Sequence, residues 1–320
     1  MFEQFTRGGG RRAAPAAVVA LVVVLGGCAG QSLEESGGGG EGSLVVGSAG
    51  FSESEIMAQL YAQLLSDAGY STRVQRLANR ELYEPALEKG EIDVVPEYAA
   101  TLAEFLNAKV NGAEAAEKKP VASADPDATV KALAKLAEPR GISVLAAGDA
   151  VNQNAFAVTE DFAKKHGLKT LTDVGEKGLK IKLAAGDECA ERPFCQPGLE
   201  SRYDIDVTRL DPKGVGSVQA KQSVQNGNNN MVLTTTTDAS MEEFDLVLLE
   251  DDKDLQNADN VLPVVNTKDA GDRRITDTLD KLTRVLTTED LIELNRKVDS
   301  ERQKPDDVAE EYLKSKGLVG

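Results

Sequence analysis

Short apolar runs alternate with helical segments along most of this chain, and that alternation limits the folds open to it. Leu44-Val45-Val46-Gly47-Ser48 reads as a strand running into a loop. Ile56, Met57, Leu60, Tyr61, Leu64 and Leu65 then recur at helical spacing, so one face of the next segment is apolar. Gly69 ends that helix. Thr72 to Leu77 reads as the next strand, Glu81 to Lys89 as a second helix stopped by Gly90, and Ile92 to Val95 as a third strand. Strands joined through helices imply a parallel sheet with right-handed crossovers. In open sheets of this kind ligands sit beyond the carboxyl ends of the strands. That rule points at Ser48 to Ser52 and at Pro96 to Thr101.

The second half repeats the grammar. Strands are expected over Gly141 to Ala147, Ala155 to Val158, Leu179 to Ala185, Asp206 to Leu210, Met231 to Thr235, Phe244 to Leu249 and Asn260 to Val265. Phe162 to Val174 is mostly helical, and a further helix lies near Ser217 to Val224. Asp272 to Leu286, Thr288 to Val298 and Pro305 to Lys316 form a set of amphipathic helices. The acidic stretch Glu250 to Asp254 reads as a solvated turn.

The N-terminus carries a different signal. Arg7, Arg11 and Arg12 precede an uncharged run from Ala13 to Gly27, shorter than the roughly 20 residues of a membrane span. A basic start followed by a short apolar run reads as a signal peptide over residues 1–27. The run ends Leu25-Gly26-Gly27-Cys28, which resembles a bacterial lipobox with Cys28 as the acylated residue. Residues 28–43 contain Gly37 to Gly40 and no apolar cluster, so they read as a flexible tether with a reach of roughly 20 Å.

A formal charge of −17 over 320 residues argues against nucleic acid or anionic lipid as a binding partner. With Cys28 assigned to lipid, Cys189 and Cys195 remain, and an exported pair this close is expected to form a disulfide. Two thiols and the single histidine, His166, fall short of a zinc site, so no metal and no cofactor are expected. The usual nucleophile–base sets are also missing, with no Ser-x-x-Lys or Gly-x-Ser-x-Gly. A binding protein is expected, not an enzyme.

Val46-Gly47-Ser48-Ala49-Gly50-Phe51-Ser52-Glu53 resembles the opening motif of solute-binding proteins for glycine betaine, carnitine and choline. The segment Pro85-Ala86-Leu87-Glu88-Lys89-Gly90-Glu91-Ile92-Asp93-Val94-Val95-Pro96-Glu97-Tyr98 looks like that family's most recognisable stretch. Thr236-Thr237-Asp238 and Leu249-Glu250-Asp251-Asp252 also fit. The similarity covers roughly Leu44 to Leu318. It implies an α/β fold of the type II periplasmic-binding-protein kind, with lobe 1 over 44–148 plus 266–320 and lobe 2 over 149–265. The crossings near Ala147 and Val265 would form the hinge. The implied role is extracytoplasmic: a monomer, lipid-anchored at the outer face of the cell membrane, passing a small solute to an ABC permease and its ATPase. A more polar, amino-acid-like ligand, or a sensing lobe for a signalling receptor, are the alternatives.

A quaternary ammonium cannot donate a hydrogen bond and is best held by aromatic faces, whereas a carboxylate wants Arg, hydroxyls or backbone N–H groups. By resemblance Tyr98 is one wall of an aromatic box, Thr101 a neighbouring polar contact and Arg192 a carboxylate-binding arginine. Tyr98 could instead pack a sheet edge, and Arg192 could pair with Glu188 and Glu191 at the surface. The Asp-x-Tyr of the family appears here as Asn152-Gln153-Asn154, and two further box tyrosines fall on Lys221 and Thr235. Ser48, Asn152, Asn154, Thr235 and Asp238 complete the candidate ligand contacts. A pocket of Asn, Gln and Thr suits a ligand with more hydrogen-bonding groups, or holds a betaine weakly.

Overall fold

A computed structural model describes residues 42–320 apart from 124 and 258. The signal segment, the proposed lipid site Cys28 and most of the tether lie outside the described residues. The chain begins with β1 (Ser43–Ser48), α1 (Ser52–Asp67), β2 (Ser71–Arg76), α2 (Arg80–Lys89), β3 (Val94–Tyr98), α3 (Ala99–Asn111), α4 (Ala113–Lys118), α5 (Pro126–Ala137) and β4 (Ile142–Val144). A crossing leads to β5 (Asn154–Thr159), α6 (Glu160–His166), α7 (Leu171–Glu176), β6 (Lys180–Ala185), α8 (Gln196–Tyr203), β7 (Asp206–Pro212), α9 (Val218–Gln225), β8 (Met231–Thr235) and β9 (Leu246–Leu249). A second crossing returns to β10 (Val261–Asn266), α10 (Thr267–Ala270), α11 (Arg273–Thr283), α12 (Thr288–Asp299) and α13 (Pro305–Ser315).

The strands make two five-stranded sheets, ordered β2-β1-β3-β10-β4 and β7-β6-β8-β5-β9. Within each, the strands linked by helical crossovers run parallel, as the alternation requires. The exceptions are β10 and β5, antiparallel to both neighbours. Each is the first strand after a crossing, so the chain enters each sheet from the other one and runs against its neighbours. The parallel expectation therefore holds for only part of each sheet.

One boundary needs correction. Val261–Asn266 pairs with β3 and β4 in the first sheet, so the return crossing precedes this strand and does not lie at Val265. The two crossings run side by side: Asn152 N donates to Asp259 O at 3.0 Å, and Val261 N to Ala150 O at 2.9 Å. Val151 and Asn260 form an antiparallel bridge between them.

Apolar faces account for the layers. Helix α1 buries Ile56, Met57, Leu60, Tyr61, Leu64 and Leu65 against one face of the first sheet, with Ile275, Leu279, Leu291 and Leu313 of the C-terminal helices. Six such side chains taken out of water contribute about 10 kcal/mol before chain entropy is subtracted. Leu87, Leu102, Leu106 and Leu133 cover the opposite face. The second sheet is likewise covered on both faces. Gly47 lets β1 pack closely against β3: a Cβ there would meet Ile92 Cγ2 at 3.0 Å and Val95 Cγ2 at 3.1 Å, so both side chains would have to shift. Among the described residues, no helix is long and apolar enough to cross a membrane.

Candidate functional site

Between the two sheets lies a cavity of about 610 Å³. Its first-lobe wall comes from the loop after β1, the segment between β2 and α2, and the junction of β3 with α3. Its second-lobe wall comes from the loops after β6 and β7 and from the end of β8, with Asn152 to Asn154 of the crossing between the lobes. The carboxyl-end rule for open sheets thus places the cavity correctly.

Three aromatic side chains face this space: Phe51, Tyr83 and Tyr98. The Phe51 and Tyr98 rings stand 6.3 Å apart between centroids, tilted by 30°. The Tyr98 hydroxyl donates to Glu53 Oε1 at 2.7 Å, which fixes the ring. Burial, and then the neighbouring Glu53 charge, push that hydroxyl well above the usual tyrosine range. Beneath Tyr98, Arg80 grips Glu97 through Nε at 2.7 Å and Nη2 at 2.6 Å, and Tyr83 donates to the same carboxylate at 2.6 Å. This is a buried, bidentate pair with its remaining lone pairs satisfied, the arrangement a buried ion pair needs.

Asp259, from the return crossing, caps the α3 N-terminus by accepting from Ala100 N at 2.6 Å and Thr101 N at 3.1 Å. Burial pushes its carboxyl up to about 7, although the two amides and Arg80 pull the other way.

Tyr98, Thr101, Asn152, Asn154, Arg192 and Thr235 all line the cavity. Ser48 does not: it is fully buried at the end of β1, with its Oγ facing the interior unpartnered. Asp238 does not line this cavity either. It borders a second one of about 290 Å³, where Lys221 Nζ holds it at 2.9 Å. Lys221, at a position where the family's tyrosine was expected, is a buried ion-pair partner. Arg192 follows neither sequence reading fully. It crosses the cleft to Glu81 on α2, with Nε and Nη2 at 3.1 and 3.0 Å from its two oxygens, while Glu188 lies at 3.9 Å. Its loop is closed by a disulfide between Cys189 and Cys195.

Sequence reasoning missed several residues in or beside the cavity. Phe51 and Glu53 stood in the quoted motif and went unassigned. Tyr83, Glu81 and Asp259 gave no local signal, because their roles depend on what folds against them. Among the described residues, no group of three or more His, Cys, Asp or Glu side chains is placed to hold a metal.

The family described as the substrate binding domain of ABC-type glycine betaine transport systems matches residues 42–315. A glycine-betaine-binding protein of Pseudomonas aeruginosa is 26% identical over 288 residues, covering 87% of this chain and 89% of its own. The carnitine transport binding protein OpuCC of Listeria monocytogenes is 23% identical over 273 residues, covering 84% and 85%. A crystal structure of a glycine betaine/carnitine/choline ABC transporter protein superposes with a TM-score of 0.62 at 21% identity, over 86% of this chain and 99% of that one. The chain therefore belongs to the family of substrate-binding domains of ABC-type glycine betaine transport systems, and its two mixed sheets with flanking helices are a type II periplasmic-binding-protein fold.

Proposed function

We propose that this chain captures a small quaternary ammonium solute, of the glycine betaine or choline kind, between its two lobes and delivers it to the permease and ATPase of an ABC importer. In this reading Cys28 carries the lipid that holds a monomeric protein at the outer face of the cell membrane, and residues 28–43 give it reach. The lobes comprise 44–148 with the C-terminal part, and the intervening segment, joined by the two paired crossings. The observation that carries the ligand class is the aromatic wall: Phe51 and Tyr98 face one interlobe cavity with Tyr83 nearby. Ring faces attract a cation that has no proton to donate. The amide of Asn154 and the hydroxyls of Thr101 and Thr235 are available to the polar end of such a molecule.

Calorimetry with choline and glycine betaine tests the reading. Cation–π contacts are worth roughly 0.5–2 kcal/mol, so Tyr98→Ala is expected to weaken binding by up to about thirtyfold, and Tyr98→Phe only mildly because the ring face persists. If Asn154→Ala is more damaging than Tyr98→Ala, the ligand is a polar solute gripped by amides. Membrane association is tested by Cys28→Ser, which is expected to release the protein or block its processing. Unchanged mobility and retention at the membrane would remove the lipid assignment.

A further inference from the structure

Glu53 sits in the first turn of α1, 4% exposed, and its carboxylate collects four donors. Tyr98 Oη and Asn152 Nδ2 reach Oε1 at 2.7 and 2.6 Å; Thr237 Oγ1 and Asn295 Nδ2 reach Oε2 at 2.6 and 2.7 Å. Every one of these donors is neutral. Among the described residues, no lysine, arginine or histidine nitrogen forms a salt bridge with Glu53 within 4.0 Å. Three nearby ionised side chains are paired with opposite charges instead: Glu97 with Arg80, Asp238 with Lys221, and Glu81 with Arg192. Neutral donors satisfy the lone pairs of a buried carboxylate but leave its net charge in place. In a low-dielectric interior that charge acts over a longer range than in water.

The route from this charge to the cavity is the Tyr98 hydroxyl. A phenol that donates to an anion shifts electron density into its ring, which makes the ring face more negative and a better seat for a cation. We propose that Glu53 is a positioning and specificity-determining residue that acts through Tyr98, so that the cleft selects a positively charged ligand over a neutral molecule of the same shape. The inference rests on the reading of Tyr98 as a wall of the ligand site. The hydroxyl that closes on Oε2 comes from Thr237 of the second lobe and one amide on Oε1 from Asn152 of the crossing, so the charge is fully set in place when the lobes meet.

The test compares choline with its carbon isostere 3,3-dimethylbutan-1-ol, by calorimetry on the full chain. The wild type is expected to bind choline at least thirtyfold more tightly than the isostere. Glu53→Gln keeps size and an acceptor for Tyr98 but removes the charge, and is expected to cut that ratio at least tenfold by weakening choline alone. Thr237→Val keeps the charge and loses one interlobe hydrogen bond; it is expected to weaken both probes together and leave the ratio unchanged. If Glu53→Gln weakens both probes equally, Glu53 is an interlobe strut and the inference is overturned. A wild type that binds the two probes equally well overturns it too, without need of a foldable variant. A wild type that binds neither overturns the quaternary ammonium reading itself, and this inference with it.

Discussion

Asp259 illustrates how a residue's role can be invisible in its own neighbourhood. Nothing around Gln256 to Asn260 marks it, yet the fold carries it to the first amides of α3, where a carboxylate is favourable. Burial overrides that gain and pushes its carboxyl up to about 7, from about 3.9 in an unfolded chain. Between those values the native state holds more protons than the unfolded one, so stability falls as pH rises. This contribution is complete below about pH 4 and lost as pH passes about 7, with a slope of at most about 1.4 kcal/mol per pH unit. Asp259→Asn retains an acceptor for the amides and cannot ionise. Melting temperatures from pH 4.5 to 8 should fall less steeply for the variant than for the wild type, and parallel curves would remove the assignment. Arg192 gives a second test at this scale. The Nε–Nη2 edge of its guanidinium is already held by Glu81, so a ligand carboxylate has to compete for that edge. Glu81→Gln should raise the affinity for glycine betaine severalfold relative to choline, which has no carboxylate. An equal change for both ligands would mean that Arg192 does not meet the ligand. The cavity positions of Tyr98 and Asn154 were legible through the family resemblance, one as a match and the other as a departure; Glu81 was not, because a cross-cleft pair leaves no trace in spacing.

At the level of elements, legibility followed the strength of local signals. Met231–Thr235 and Lys180–Ala185 are dense apolar runs, and both strands were found within a residue. Helix α3 was missed because its start carries no capping side chain of its own: Tyr98 is the preceding residue and the cap is the distant Asp259. Helices α6 and α7 were merged over 162–174, although Gly167 at a φ of +62° ends the first and the Thr170–Asp173 capping box opens the second. The loop from Gly186 to Cys195 contributes Gly186, Asp187, Glu188 and Arg192 to the cavity wall. Its disulfide closes so few residues that the loop-entropy relation gives about 2 kcal/mol at most. Replacing both cysteines by serine should therefore leave a folded protein with slightly lower denaturant resistance. The larger effect should be on ligand affinity, because Arg192 lies inside the loop and Gln256 Nε2 anchors Phe194 O at 2.6 Å. A large stability loss with unchanged affinity would reverse that ranking.

For the whole molecule, the alternation of strands and helices predicted an α/β class and the family resemblance implied two lobes, but neither assigned β10 to its sheet. Val261–Asn266 is buried along its whole length, and the apolar run from Val261 to Val265 fits the middle of either sheet. The sheet membership of β10 decides the mechanics, because it leaves the two crossings as adjacent, hydrogen-bonded strands. Such a pair can bend as one hinge. Few bonds between the lobes hold the cleft shut. The Arg192–Glu81 pair is partly exposed, at 27% and 37%, and pairs of that kind contribute up to about 1 kcal/mol. Thr237 adds its buried hydroxyl to Glu53 and accepts at its carbonyl from Asn295 Nδ2 at 3.1 Å. These contacts are too few to fix the closed form alone, so a ligand touching both walls should set the equilibrium through its preference for that form. Small-angle scattering should show a smaller radius of gyration when a bound ligand saturates the protein. Thr237→Val should move the ligand-free curve toward the larger value and require more ligand to reach the smaller one. A scattering curve indifferent to both ligand and substitution would mean that the lobes do not move, and that the ligand enters a cleft already fixed in shape.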